Sequence, residues 1–356
     1  MAEAGGGDGG GGGGGCGNGG GGGARSLCCA SLPEPLPFPE DKALRLAEEE
    51  TAAAAAAPPL AGMPPLAGFT ALGNFRDVAS ANPACVRPGR VYRSATPAEA
   101  DQADVMLLLN TFCVRTIIDF RDRAEAAADP GSRLYTHYYP SDDDEGAEAP
   151  VAASADRLLK GPRVVRAPYV SKAKMALTLL GRMPLTRLAR VGSNFALGLL
   201  SKGAKAAAHR EVFAELNDLG LEGLYRTILD GAGAQIARAL RVVADRRNHP
   251  VLLHCSHGKD RTGVTVALLL VLVGAPAADI VADYHLSEAH GLSPTGRAFF
   301  KHPEMDPDYW GRAPPTVMAA TLAYLDARYG GVPHYLTHIG FTPAWQQRLV
   351  AALTHP

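Results

Sequence analysis

The sequence predicts an α/β fold, with a central sheet flanked by helices and interrupted by a basic helical insertion. Short apolar or β-branched segments, which are typical of buried strands, alternate with helical segments along residues 66–356. The segment VLLH (251–254) shows this best, because it leads through a polar loop into the almost wholly apolar run 263–273. The region of about 140–224 differs, since bases separate its helically spaced apolar residues.

The amino-terminal residues 1–65 are expected to form a disordered tail before this domain. Sixteen of the first 24 residues are glycine, six alanines lie at 52–57, and prolines lie at 58, 59, 64 and 65. Such a composition cannot bury enough apolar surface to offset its ordering entropy. The opening also lacks the basic start and apolar core of a secretory signal, and its early acids argue against a transit peptide.

The first elements of the domain are predicted from β-branched runs and from helix-start signals. RVYRSA (90–95) is typical of a strand, and TIIDF (116–120) of a buried strand that ends in a polar cluster. Between them, Thr96 and Pro97 resemble an N-cap and a first-turn proline, so we expect a helix to begin there and run toward Leu109.

The predicted insertion is strongly basic. Residues 153–210 contain twelve lysines and arginines but one acid, Asp156. Within it, the apolar residues of 175–200 follow a helical spacing, and Pro184 should divide them into two helices. Two interpretations stay open: an ordinary solvated helical pair, or a functional lid that contacts an anionic membrane through 153–210.

The remaining helices and the last strand have clear boundaries. A helix is expected at 234–245, a short buried strand at 251–254, and an apolar helix at 263–273 that Gly274 caps. Two further helices are expected at 317–328 and from Thr342 onward, with Pro343 in the first turn of the latter.

Charge and cysteine content limit the possible functions. The formal net charge of −1 argues against a protein that binds nucleic acid with its whole surface. The six cysteines lack the paired spacing of a zinc site and the density of a disulfide scaffold, which favours a reducing compartment. We therefore expect a cytoplasmic protein without metal or cofactor, although plastid targeting stays open.

The loop HCSHGKDRTG (254–263) has the chemistry of a phosphate site. It joins a buried strand to a helix, so its side chains lie at the carboxyl edge of the sheet, where ligands bind in α/β folds. The helix N-terminus favours an anion and stabilises Cys255 as a thiolate. Arg261, six residues later, can bind two phosphate oxygens, and Gly258 permits the tight loop. Cys255 is thus predicted to attack phosphorus.

The same loop resembles that of the cysteine-dependent phosphatases, and more closely the tyrosine phosphatase-like group that also acts on phosphoinositides. Further matches lie at 73–79 (GNFRDVA), 90–95, 117–122 (IIDFRD), 283–288 (DYHLSE) and 329–340. The resemblance covers about 66–140 and 225–356 and implies a cysteine-phosphatase-like fold. The basic insertion has only a loose counterpart, the helical lid of some relatives.

The resemblance also implies roles for other loop residues. An aspartate at Asp260 can protonate the leaving group, and Asp230 is the alternative general acid. Lys259 adds positive charge beside the phosphate, and the Thr262 hydroxyl can assist departure of the sulfur. His254 is expected to orient the loop from behind. The predicted substrate-binding residues are Ser256, His257, Gly258, Lys259 and Thr262.

The sequence therefore predicts a phosphomonoester hydrolase that forms a phosphocysteine. Phosphotyrosine proteins, possibly with phosphoserine and phosphothreonine proteins, are the first candidate substrates, and phosphoinositides are the alternative. A phosphate-binding module without turnover is an alternative of another class, although both the thiol and the arginine are present.

Overall fold

The computed structural model describes residues 68–97, 100–127, 137–140, 162–169, 172–198, 201–290 and 305–355. The predicted tail at 1–65 lies outside these residues. Within them, five strands form one sheet in the order β1-β2-β5-β3-β4. The strands are β1 (Arg76–Asp77), β2 (Val91–Ser94), β3 (Thr116–Asp119), β4 (Arg163–Arg166) and β5 (Val251–His254).

The sheet places β5 at its centre and aligns three strand ends. β1 is antiparallel to β2, and the other pairings are parallel. His254 at the end of β5 pairs in register with Ser94 of β2 and with Asp119 of β3. The chain segments that leave these strands therefore emerge side by side at one edge, where α/β folds bind ligands.

Helices cover the sheet and supply most of the core. The amphipathic α6 and the apolar α7 bury residues against β5, all four of whose residues are buried, as expected for a parallel central strand. None of the described helices combines the length and apolar character needed to cross a bilayer. The helices are α1 (Gln102–Met106, continued by a π-helical segment Leu107–Thr111), α2 (Arg123–Ala127), α3 (Lys172–Arg182), α4 (Leu185–Leu197), α5 (Lys202–Gly231), α6 (Gly233–Val243), α7 (Asp260–Leu272), α8 (Ala277–His285), α9 (Pro307–Gly311), α10 (Pro315–Tyr329), α11 (Val332–His338) and α12 (Pro343–Thr354).

The regular α-helix expected from Pro97 onward begins at Gln102; Pro97 itself lies in a 3-10 turn, and residues 98 and 99 lie outside the described residues. Asp101 caps α1, and its carboxylate accepts a hydrogen bond from the Asp104 N–H. Thr96 does not cap this helix, because it makes two other hydrogen bonds. Its N–H donates to the Ser256 carbonyl, and its hydroxyl accepts from Arg121. Tertiary contacts at the sheet edge thus override the local capping signal.

The region of the predicted insertion contains a strand as well as helices. β4 pairs with β3 inside the span of about 140–224, for which the sequence predicts a helical insertion but no strand. Pro184 separates α3 from α4, as expected. α5 then turns sharply at Gly220, where φ is 62° and a Cβ would lie 2.9 Å from the Tyr309 hydroxyl. Beyond this turn, α5 packs into the core of the domain.

Candidate active site

Cys255 follows β5 directly and is 1% exposed. The loop after it runs to Lys259, and α7 begins at Asp260. The first turn of α7 thus directs its unpaired N–H groups into the loop, an arrangement that favours a bound anion.

The carbonyl groups of the loop point away from this anion position. The Asn74 side-chain amide donates to the carbonyls of His257 at 3.0 Å and of Gly258 at 3.1 Å. Arg93 donates to the Gly258 carbonyl as well, at 2.7 Å. In a trans peptide the N–H points opposite to the C=O, so the N–H groups of Gly258 and Lys259 face the other side. The loop therefore has the geometry of a backbone cradle for an anion.

Only glycine fits at position 258. Its φ is 65°, in the left-handed region that favours glycine. A Cβ there would lie 2.2 Å from the carbonyl oxygen of Ser94 at the end of β2. The loop thus approaches the neighbouring strand too closely for any side chain.

A buried charge network supports the loop from behind. Asp283 accepts a hydrogen bond from Arg76 Nε at 2.8 Å and pairs with Arg93, whose side chain is fully buried. Burial raises the pKa of Asp283, but Arg76 and Arg93 outweigh it and hold that pKa below its ordinary value. The segments GNFRDVA, RVYRSA and DYHLSE, distant in sequence, meet at this network.

Arg261 is fixed by a carboxylate that the sequence analysis did not select. Its Nη1 and Nη2 atoms each donate to Glu125 at 2.7 Å, and Ser256 donates to the same carboxylate. Burial raises the pKa of Glu125, but Arg261 and Ser256 bring it to about 2. Because these contacts use the two terminal nitrogens of Arg261, its Nε–H is the donor that can bind a phosphate.

Asp260 is held as a carboxylate by its neighbours. The Tyr225 hydroxyl lies 2.9 Å from Asp260 Oδ1 and 2.9 Å from the Tyr284 hydroxyl, so it donates to the former and accepts from the latter. Lys259 Nζ lies 3.2 Å from Asp260. Burial raises the pKa of Asp260, yet Lys259, His257 and Tyr225 bring it below its ordinary value.

Lys259 points away from the position at which the sequence placed it. Its ammonium donates to the carbonyls of Trp310 at 2.7 Å and Arg312 at 2.6 Å, and the residue is 2% exposed. Together with Asp260, these oxygens take up all three N–H donors of the ammonium. The protein therefore binds the Lys259 ammonium, and its predicted contact with substrate stays a prediction.

Asp230 is not joined to the loop by any contact of the described residues. Its carboxylate accepts hydrogen bonds from the hydroxyls of Tyr324 and Tyr329, each at 2.8 Å, and lies 3.8 Å from Arg328. These partners belong to α10. The arrangement favours Asp260 over Asp230 as the general acid.

The other predicted residues lie in or directly behind the loop. The Thr262 hydroxyl is buried and has no hydrogen-bond partner among the described residues, so it is available to the sulfur or to a ligand. Burial lowers the pKa of His257 to about 4, which keeps its ring neutral at pH 7. His254 is buried behind the loop, with Nδ1 3.2 Å from the Cys255 carbonyl and Nε2 3.7 Å from Asp119.

This arrangement of thiol, cradle and anchored arginine agrees with a comparison against protein families, in which the model of the tyrosine phosphatase family matches residues 67–355. The chain belongs to this family. Accordingly it is a hydrolase of the cysteine-dependent phosphatase class.

Individual relatives of the family differ in how much of the chain they match. The triple specificity protein phosphatase PtpB of Mycobacterium tuberculosis is 29% identical over 306 residues, covering 79% of this chain and 96% of PtpB. A putative tyrosine-protein phosphatase of Cupriavidus necator is 28% identical over 276 residues, 74% of this chain and 80% of its own. The inositol diphosphatase DSP2 of rice, Oryza sativa subsp. japonica, is 40% identical over 55 residues, 15% of this chain and 27% of its own.

The sequence did not lead us to three residues of this tyrosine phosphatase site: Asn74, Glu125 and Tyr225. Asn74 lies in the quoted segment GNFRDVA, and Glu125 follows β3 at the same sheet edge as the loop. Polar residues just beyond a neighbouring parallel strand were therefore an available signal for Glu125. Tyr225 had no such signal, because only the turn at Gly220 directs it to Asp260.

Proposed function

We propose that this phosphatase hydrolyses phosphotyrosine on proteins through a phosphocysteine at Cys255. The supporting observation is the loop cradle, whose carbonyls are tied outward by Asn74 and Arg93 while Glu125 anchors Arg261. This arrangement presents N–H donors and a guanidinium to a phosphate next to the thiol, and donors aimed at developing charge are a major source of catalysis.

The proposed reaction has two steps. The Cys255 thiolate forms a bond to phosphorus, the bond to the tyrosine oxygen breaks, and that oxygen takes a proton from Asp260, whose lowered pKa means that its protonated form is present mainly in acid. Water then attacks the phosphocysteine, Asp260 takes a proton from the water, and the thiolate leaves with inorganic phosphate as product. The Thr262 hydroxyl stabilises the departing sulfur.

The position of Lys259 supports phosphotyrosine over phosphoinositides. An inositol head group with more than one phosphate needs a second cation at the mouth of the site, and a lysine beside the arginine is the obvious candidate. Here that ammonium is bound to two carbonyls and a carboxylate. The extent of the similarity to PtpB, which is named a protein phosphatase, supports the same choice.

Phosphoinositides are the second candidate because residues 157–210 contain no acid and twelve bases. A basic segment attracts the anionic surface in which such lipids lie. The short similarity to a rice protein named inositol diphosphatase also favours this candidate.

A substrate panel tests the proposal. Phosphotyrosine peptides are compared with water-soluble short-chain phosphoinositides, and we expect kcat/KM for the peptides to be at least about tenfold higher, a difference of about 1.4 kcal/mol in transition-state binding. Lys259→Met should lower activity on both classes equally, because it removes contacts that hold the loop in its folded position. Higher activity on phosphoinositides, lost selectively in Lys259→Met, would exclude phosphotyrosine as the main substrate class.

We also propose a reducing, cytoplasmic location. The support is that the cysteines of the described residues, Cys85, Cys113 and Cys255, are free thiols. Cell fractionation tests this proposal, and recovery in an oxidising compartment would contradict it.

A further inference from the structure

The exposed apolar side chains of the described residues concentrate on the hairpin of α3 and α4. Of the seven large apolar residues that are exposed, five lie there: Leu177, Leu185, Leu188, Phe195 and Leu197. The other two, Leu286 and Tyr309, lie elsewhere in the chain. Single exposed apolar residues are ordinary, but a cluster of this kind indicates a contact surface.

Three of these residues form a continuous stripe along α4. Leu185, Leu188, Gly192 and Phe195 are three or four positions apart, so they share one side of the helix. We call Leu185, Leu188 and Phe195, together with Gly192 between them, the apolar stripe. Leu185 is 84% exposed and Phe195 46% exposed, and nothing lies within 4 Å of a Cβ built at Gly192. The stripe spans about 15 Å, from the rise of an α-helix.

The arginines of α4 form ion pairs with acids of α5. Arg187 lies 2.8 Å from Glu215 and 3.4 Å from Glu211, both on α5. Arg190 lies 3.7 Å from Glu211, and Val191, which follows it, is buried. Because the ion pairs hold the basic flank against α5, the leucines face outward.

Bases lie at both ends of the apolar stripe. Lys202, Lys205 and His209 share one side of α5, and the ring of His209 lies 6.0 Å from that of Phe195. Lys205 packs close to Gly198, just after α4, and both lysines are exposed. At the other end, the exposed Arg182 precedes Leu185 by three residues.

We propose that the apolar stripe and its flanking bases dock onto an anionic lipid surface, with the α3–α4 hairpin lying in the plane of the interface. An outward ridge of leucines and phenylalanine has no walls to shape a binding groove for a peptide, whereas a fluid bilayer accommodates a ridge. Apolar residues edged by lysine and arginine are the combination that binds amphipathic helices to anionic membranes. The proposal concerns where the enzyme binds and does not depend on its substrate.

Vesicle flotation with the full-length purified chain tests this. Vesicles of phosphatidylcholine with phosphatidylserine should float the protein, and vesicles of phosphatidylcholine alone should float much less of it. Leu185→Ser/Leu188→Ser/Phe195→Ser should reduce partitioning at least about tenfold, and Lys202→Glu/Lys205→Glu should reduce it by a similar factor, more at low salt than at high salt.

Matched control variants distinguish a specific loss of vesicle binding from general damage to the fold. Leu286→Ser removes an exposed leucine away from the hairpin, and Arg87→Glu reverses an exposed base on the body of the domain. Both should bind vesicles as the original chain does, and all variants should hydrolyse a soluble aryl phosphate at the original rate. Vesicle binding unchanged in the stripe variant, or a wild-type chain that does not bind, would overturn the proposal. A wild-type dimer that the stripe variant dissociates would also overturn it, because the stripe would then be a subunit interface.

Discussion

Glu125→Gln should weaken both the fold and the catalysis, because Glu125 fixes the arginine of the phosphate loop. The carboxylate takes two hydrogen bonds of 2.7 Å from Arg261, and their side chains are only 14% and 20% exposed. Glutamine keeps the shape and one acceptor but presents an N–H₂ group to the guanidinium. The variant therefore loses a charge-assisted hydrogen bond, and the partly buried Arg261 guanidinium loses its counter-ion.

The expected loss of stability follows from the pKa of Glu125. Arg261 and Ser256 bring this pKa from 4.5 to about 2 against the effect of burial, which corresponds to about 3 kcal/mol. Since the folded-state pKa is depressed, the stabilisation is present above pH 5 and is lost as the pH falls toward 2. Urea unfolding at pH 7 should therefore show a loss of about 2–3 kcal/mol, and the difference between wild type and variant should shrink in acid.

The catalytic loss should be about 100-fold in kcat/KM for an aryl phosphate, the size expected when a positioning contact is loosened. Glu222→Gln is the matched control, since its pair with Arg226 is 3.7 Å long and both side chains are more than 40% exposed. That variant should change unfolding by less than about 0.5 kcal/mol and leave the rate unaffected. An increase in kcat/KM for Glu125→Gln would refute the reasoning, because the carboxylate would then compete with phosphate for Arg261.

Three further predictions concern the acid and the loop. Asp260→Asn should slow substrates with poor leaving groups at least about 100-fold more than activated aryl phosphates, and equal losses would move the acid elsewhere. Tyr225→Phe removes a hydrogen bond that lowers the pKa of Asp260, so that pKa should rise; the alkaline limb of the pH–rate profile should move to higher pH, and an unmoved limb would contradict the contact. Gly258→Ala should abolish turnover and lower the melting temperature, because its Cβ would meet Ser94 O at 2.2 Å, and a normal rate would contradict the loop geometry.

The central strand, its loop and the following helix were predictable because their signals are local. An apolar run precedes Cys255, a glycine permits the turn, and an apolar run follows. β4 was not predictable in the same way. RVVR (163–166) lies among bases and becomes a strand through its pairing with β3, which is more than forty residues earlier in the chain.

The residues of the site also differ in whether local sequence or long-range contacts determine their position. Cys255, Asp260 and Arg261 lie within seven consecutive residues of the sequence, so their spacing alone suggested chemistry. Glu125 and Tyr225 reach that loop from other segments, through the order of the sheet and the turn at Gly220. Lys259 is the opposite case. Its position in the loop sequence predicted that its charge would contact the phosphate, but the structure shows it bound to the carbonyls of Trp310 and Arg312, which are distant in the sequence.

The most direct test of the account is to trap the phosphoenzyme. Wild-type protein is mixed with an aryl phosphate, quenched in acid within the first turnover and digested for mass spectrometry. We predict one added phosphoryl group on the peptide that contains Cys255, and none in Cys255→Ser, which should be inactive but folded. Phosphate on another residue, or turnover retained in Cys255→Ser, would contradict the assignment of Cys255 as the nucleophile.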